Sequence, residues 1–206
     1  MKSLQLPPTI RTARPDEVPK QGGLLNRIAD SEIANIVEGY VFHSNETNEL
    51  PFAFFAEINV DSQRLWNLFK ALLLQLPDEI CLVYNYKGSE PIYSNYAGKY
   101  EILNKLELYQ LEITQDGFLE IGALYNDDVM MEEVFIRSSK YLQYWGVSEE
   151  RFRQTMAQFE IYEIATLNFI DQYPLATESL QLHHSEAKET SEVLKQFGAI
   201  IPIAKE

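Results

Sequence analysis

Carboxylates dominate the chemistry open to this chain. Between Glu101 and Ile136 stand Glu101, Glu107, Glu112, Asp116, Glu120, Asp127, Asp128, Glu132 and Glu133, with Lys105 the sole base among them. Carboxylate oxygens ligate hard cations, accept bidentate bonds from guanidinium groups, and together create a field that speeds encounter with a basic partner. Metal binding of the EF-hand type needs ligands at alternate positions around a central glycine, and Tyr125–Glu133 lacks that pattern. A nuclease built on a hairpin places a lysine two residues beyond a glutamate, on one strand face, whereas Lys140 follows Glu133 by seven. A metal-dependent hydrolase or nuclease using Asp116, Glu120, Glu133 and Lys140 therefore stands as the competing reading, behind recognition of a cationic partner.

Other nucleophiles and ligands give less. Cys81 sits among Ile80, Leu82 and Val83, where a thiol behaves as a small hydrophobe. His43, His183 and His184 have no metal-ligand spacing, and His183-His184 reads as exposed linker. No Gly-x-Ser-x-Gly elbow, Gly-x-Gly-x-x-Gly turn or Walker-type loop occurs. Tyr84, Tyr86, Tyr93, Tyr96 and Tyr100 are dense enough for a stacking platform, but alternation in a half-buried strand accounts for them more simply. No catalytic residue, metal or cofactor is assigned.

The 206 residues carry 17 Lys plus Arg against 31 Asp plus Glu, a formal charge of −14. Nucleic-acid affinity rests on basic side chains, so that class of partner is excluded. Pro7, Pro8, Arg11 and Arg14 interrupt any export signal, and the run Leu65–Leu76 is too short and too polar for a membrane span. One cysteine makes no internal disulfide, and a reducing cytoplasm is the expected compartment.

The elements that must position the acids follow from periodicity. Phe52–Val60 reads as a buried strand. Asp61 or Ser62 then caps a helix with Leu65, Leu68, Phe69, Leu72, Leu73 and Leu76 on one face, stopped by Pro77. Glu79–Lys87 returns to strand, so the three elements predict a crossover between parallel neighbours. A helix over about Gly98–Leu108 carries Tyr100, Ile102, Leu103 and Leu106. Leu111–Ile113, Asp116-Gly117 and Phe118–Tyr125 predict a hairpin, and Glu133–Arg137 and Tyr141–Trp145 predict strands. Ser148 caps a helix bearing Phe152, Met156 and Phe159, and Ala165–Ile170 reads as a strand, which repeats the earlier strand–helix–strand pattern. A last helix is expected over about 185–197, before an apolar end at Ala199–Ile203 that a scaffold or regulatory subunit would use for docking. Residues 1–20, with four prolines, read as a flexible basic arm. The fold class is α+β: one domain over 21–206 with a mixed sheet and helices mainly on one face.

The order of these elements resembles that of immunity-type proteins from bacterial polymorphic-toxin and contact-dependent inhibition systems. The resemblance runs over residues 52–174. It rests on Val60-Asp61 through Leu65-Trp66 with Pro77, the run Asp116-Gly117-Phe118-Leu119-Glu120-Ile121-Gly122, Glu133-Val134-Phe135 with Lys140-Tyr141-Leu142, and Leu167–Asp171 with Pro174. It implies a small cytoplasmic α+β protein that neutralises a cognate toxin by stoichiometric binding, without catalysis. The expected partner is a basic protein domain, and the expected partner-binding residues are Glu112, Asp116, Glu120, Tyr125, Asp127, Asp128, Glu132 and Glu133.

Overall fold

The computed structural model describes residues 3–20, 22–47 and 50–200. In chain order the elements are β1 (Ile10–Thr12), α1 (Leu24–Glu32), β2 (Gly39–Ser44), β3 (Phe54–Asn59), α2 (Ser62–Leu73), β4 (Glu79–Tyr86), β5 (Ile92–Gly98), α3 (Lys99–Glu107), α4 (Gln110–Gln115), β6 (Leu119–Asn126), β7 (Met131–Ile136), β8 (Leu142–Gly146), α5 (Glu149–Gln158), β9 (Leu175–Thr177) and α6 (Thr190–Ile200). Seven strands form one sheet in the order β2-β3-β8-β7-β6-β4-β5, and β1 pairs with β9 in a separate ribbon. The α+β class is as expected. Instead of mixed ladders, each pairing within the sheet is antiparallel, and among the described residues parallel pairing is confined to an isolated bridge between Tyr40 and Glu163.

The crossover from β3 through α2 to β4 does join strands of like direction, but β8, β7 and β6 lie between them. The meander β6–β7–β8 is thus inserted into the middle of the sheet, where its three antiparallel strands fill the gap that α2 spans. Alternation then divides the side chains. Phe54, Ala56, Ile58, Ile80, Leu82, Tyr84, Leu119, Ile121, Ala123, Val134, Ile136, Leu142 and Tyr144 face one way into the main core. Against them lie Leu65, Leu68, Phe69, Leu72 and Leu73 of α2, together with Ile102, Leu103 and Leu106 of α3, Ile113 of α4, Phe152 and Met156 of α5, and Val193 and Phe197 of α6. The α2 stripe is buried as its spacing requires.

Several expectations are corrected. Leu111–Ile113 is not a strand, because α4 occupies Gln110–Gln115 with Ile113 buried, and Asp116-Gly117 joins a helix to β6 without a hairpin. Gly117 is required there by close approach: a Cβ would stand 2.6 Å from Thr177 Cγ2 and 3.0 Å from Ile10 Cγ1. Ala165–Ile170 buries Leu167 and Phe169 alternately, yet its backbone pairs singly, for example Asn168 N–H to Asn35 O at 3.1 Å, so no second strand–helix–strand unit forms. The final helix starts at Thr190, not near Ser185. Tyr100 points outward, leaving Ile102, Leu103 and Leu106 as the buried side of α3. Residues 201–203 of the apolar end lie outside the described residues.

The proline-rich arm is docked, not loose. Thr9, Ile10 and Ala13 are buried, β1 pairs with β9, and Gln5 N–H donates to Asp61 Oδ1 at 2.7 Å. One of its two arginines is neutralised locally, the Arg11 guanidinium being bonded to both Glu17 oxygens at 2.7 Å. Among the described residues, no helix is long and apolar enough to cross a membrane.

Candidate functional site

The acidic segment is continuous in sequence but divided in space. Glu112 and Asp116 are buried beneath the start of α6: Glu112 Oε1 accepts from Lys188 N–H at 3.1 Å, and Asp116 accepts from Phe118 N–H at 2.9 Å and Thr190 Oγ1 at 2.5 Å. Both carboxylates serve internal bonds and are withdrawn from any partner. Glu132 lies on the helix-bearing side of β7, buried, with one oxygen 2.9 Å from Arg151 Nη2. Burial raises its pKa, against the opposing pull of Arg151 and the Val147 N–H. Asp127 and Asp128 sit on the exposed β6–β7 loop. Asp127 is tied to that loop by the Val129 and Met130 N–H groups and by Tyr125 Oη at 2.8 Å, and these bonds hold its pKa low. Tyr125 faces the core side, partly buried. Adjacent positions in a strand point to opposite faces, so Glu132 and Glu133 cannot share a surface. The eight residues therefore do not form one patch.

Glu133 and Glu120 lie on the other face of the sheet. One line of directly paired residues crosses all seven strands: His43, Phe55, Trp145, Glu133, Leu124, Cys81 and Tyr96. None of these belongs to either hydrophobic cluster. The chain around Leu167 and Phe169 covers the neighbourhood of Val41 and Tyr141 on this face. The line is aromatic and half-open: His43 stacks on Phe55 with centroids 5.9 Å apart, and Phe55 lies 4.7 Å from Trp145. Beyond it, toward the β6–β7 loop, Leu50, Ala53, Val129 and Val147 are exposed around a shallow depression.

In the middle of this line stands Glu133, half-buried, with no hydrogen bond or ion pair to any described residue. Burial pushes its carboxyl up to about 7. Cys81 and Tyr93 are the titratable groups facing it from β4 and β5, and both are themselves shifted upward and neutral near neutral pH. A desolvated carboxylate with nothing to offset its charge is a group whose energy a cation would improve.

One row further, Phe135 lies over Gly122. A Cβ at Gly122 would stand 2.5 Å from both the Phe135 ring and Val134 O, so the flat contact exists only because position 122 is glycine. Beside it opens a crevice of about 620 Å3 lined by Asn85, Glu120, Phe135, Arg137, Ser138 and Asp171, among others. Glu120 is buried, and burial alone would raise its pKa. The Ser138 N–H at 3.0 Å, the Asn85 amide at 2.9 Å and the Arg137 charge at 3.5 Å outweigh burial and hold it below the usual value.

The four residues of the metal-hydrolase reading do not meet. Lys140 is held by the electrostatic pull of Asp116 and Glu120, but its ammonium is wholly buried and donates to Ile113 O at 3.0 Å and Leu119 O at 2.8 Å, while Glu133 stands on the open face. Among the described residues no group of three or more His, Cys, Asp or Glu side chains is placed to hold a metal ion. Cys81 is buried and donates to Ser94 O at 3.0 Å, with burial raising its pKa. Of the five tyrosines, Tyr84 is core, whereas Tyr86, Tyr93, Tyr96 and Tyr100 are exposed.

The residues that frame Glu133 were legible only in part. The pattern Phe54-Phe55-Ala56-Glu57 signals a strand with apolar residues on both sides, which is the mark of a second occupied or occupiable face. Nothing in the sequence singled out Asn85 or Arg137. No family model, curated protein or solved structure matches the chain.

Proposed function

We propose that this protein is a non-catalytic binding module that recognises a basic protein partner through the open sheet face centred on Glu133. One observation carries the reading: an unpaired carboxylate, desolvated by Trp145, Leu124 and their neighbours, in the middle of a half-exposed aromatic line. A lysine or arginine from the partner meets its charge there. The surrounding Phe55, Trp145 and His43 exclude water and offer ring faces to the cation, the arrangement typical of an energetic centre with an apolar surround. The net charge of −14 steers a basic partner toward the molecule at long range. An immunity-type role, in which binding occludes a toxin's active site, fits this surface and requires no acid, base or metal of this chain. Of the residues first assigned to the partner, Glu133 is retained as the centre, and the exposed Asp127 and Asp128 contribute steering.

The test is co-production with the product of the neighbouring reading frame, where that product is basic, followed by calorimetry. Glu133→Gln should weaken the complex by about tenfold or more, since truncating one member of a buried charge pair costs roughly 2–5 kcal/mol. Glu101→Gln with Glu107→Gln, exposed acids on α3, should leave affinity within about twofold. Equal affinity for wild type and Glu133→Gln would overturn the assignment, and self-association that Glu133→Gln strengthens would point instead to a second copy of this chain.

A further inference from the structure

The crevice beside Phe135 has a lining of two signs. Part of that lining consists of acceptors. Asn85 is buried, and its Nδ2 donates to Tyr86 O, Ser89 O and Glu120 Oε2, which fixes the amide's orientation. Its Oδ1 is left with no hydrogen-bond partner among the described residues. A buried acceptor without a donor is uncommon and costs free energy until something supplies one. Glu120 beside it is kept ionised, and Asp171, also in the lining, accepts the Ser139 hydroxyl at 3.3 Å and interacts with the Tyr141 hydroxyl. Cations line the same crevice. Arg137 spends its Nε on Glu120 at 3.5 Å and lies over the Phe135 ring at 5.8 Å, leaving its two Nη groups without a partner among the described residues. Lys87 stands at the same rim, with its ammonium 3.1 Å from Thr177 Oγ1.

We propose that this crevice binds a free α-amino acid. The α-ammonium sits toward Asn85 Oδ1, Glu120 and Asp171, and the α-carboxylate lies in the fork of Arg137. A single anion would be repelled by Glu120 and Asp171, and a single cation by Arg137 and Lys87. A ligand with both poles satisfies groups of both signs, and a guanidinium fork matches a carboxylate in two bonds. Phe135 and Leu175 give the side chain an apolar wall, in a volume within the usual range of small-ligand sites. The site stands apart from the partner surface at Glu133 and does not depend on it.

The test uses the full chain and amide NMR. L-Glutamine and L-serine are titrated alongside N-acetyl-L-glutamine, which lacks the ammonium, and L-glutaminamide, which lacks the carboxylate. The expected result is saturable perturbation of the Asn85 side-chain amide and of the Ser138 and Gly88 amides by the free amino acids. Each blocked form should bind at least about tenfold more weakly, the value of a lost charge-assisted bond. Arg137→Gln should reduce affinity by a similar factor; it also gives up the ion pair to Glu120 and some stability with it, but stays folded, which keeps the test valid should Asn85→Leu fail to fold. No perturbation at roughly tens of millimolar, equal binding of a blocked form, or shifts clustered away from the crevice would each overturn the proposal. Glu133→Gln leaves this binding unchanged, so failure here and failure of the partner surface are separately visible.

Discussion

Replacing Glu133 by glutamine removes a charge that the folded state tolerates poorly, and its consequence for stability can be worked out from the structure. The carboxyl titrates near 7 in the folded chain against 4.5 for the free side chain. Its folded pKa is raised, so between those values the native state holds a proton that the unfolded state has lost. Stability therefore falls as pH rises through that window and levels off above it. The full shift corresponds to roughly 3 kcal/mol, and discounting for the water that reaches a half-buried group leaves about 2 kcal/mol. Glutamine carries no such cost. Urea unfolding at about pH 5 and about pH 8.5 should find Glu133→Gln close to wild type at the lower value and about 2 kcal/mol more stable at the higher, with unchanged m-values. A variant less stable than wild type at the higher pH, or a difference independent of pH, would refute the reasoning. The first result would mean that Glu133 already has a stabilising partner within the chain, the second that its carboxyl is as well solvated in the folded state as in the unfolded.

Other substitutions read the scaffold beneath the site. Gly122→Ala drives a methyl into the Phe135 ring and Val134 O, and should cost about 1–3 kcal/mol by urea denaturation. Phe197→Ala removes the edge contacts to Tyr84 and Tyr109, with centroids at 5.5 Å and 5.1 Å, and should cost about 3–5 kcal/mol while speeding hydrogen exchange along α6. Below pH 4.5 the sign of the pH dependence reverses. Glu120 is held low by its bonds, so its contribution is present above its unfolded value and is lost as acid protonates it, and the Glu120→Gln variant should lose less stability in acid than wild type. Cys81 should resist a thiol reagent in the native state and react at the rate of opening, since it is buried and its pKa is raised.

The fold could be read where a single physical rule acted alone. The five apolar positions Leu65, Leu68, Phe69, Leu72 and Leu73 of α2, the aromatic strand β3 and the Ser148 cap, whose Oγ accepts from Arg151 N–H, needed only local periodicity and local hydrogen bonding, although α2 ends at Leu73, before the expected Leu76. Errors arose where distant chain decided the outcome. Leu111–Ile113 is too short for its period to distinguish strand from helix, and contact with α2 and β6 makes it α4. The alternation in Ala165–Ile170 is real, but it serves to cover Tyr141, at 4.7 Å from Phe169, and no strand offers that segment a ladder. The arm looked loose because prolines remove local hydrogen bonds, whereas the β9 edge holds it.

The site was less legible than the fold for the same reason. Counting acids along the chain ignores the two-residue period of a strand, which sends Glu132 toward Arg151 and Glu133 to the open face. The crowding of Glu112 and Asp116 under α6 depended on a helix some 75 residues away in sequence, which no spacing within 101–136 could reveal.

The account rests on Glu133 being an unpaired, desolvated carboxylate that a cationic partner completes, and its carboxyl pKa reports on both halves of that statement. Side-chain carbon NMR across a pH series should place the free protein near 7 and the complex with a basic partner at least about one unit lower, because a lysine or arginine at that position stabilises the ionised form. A free value near 4.5, or one that does not move when the complex forms, would contradict it.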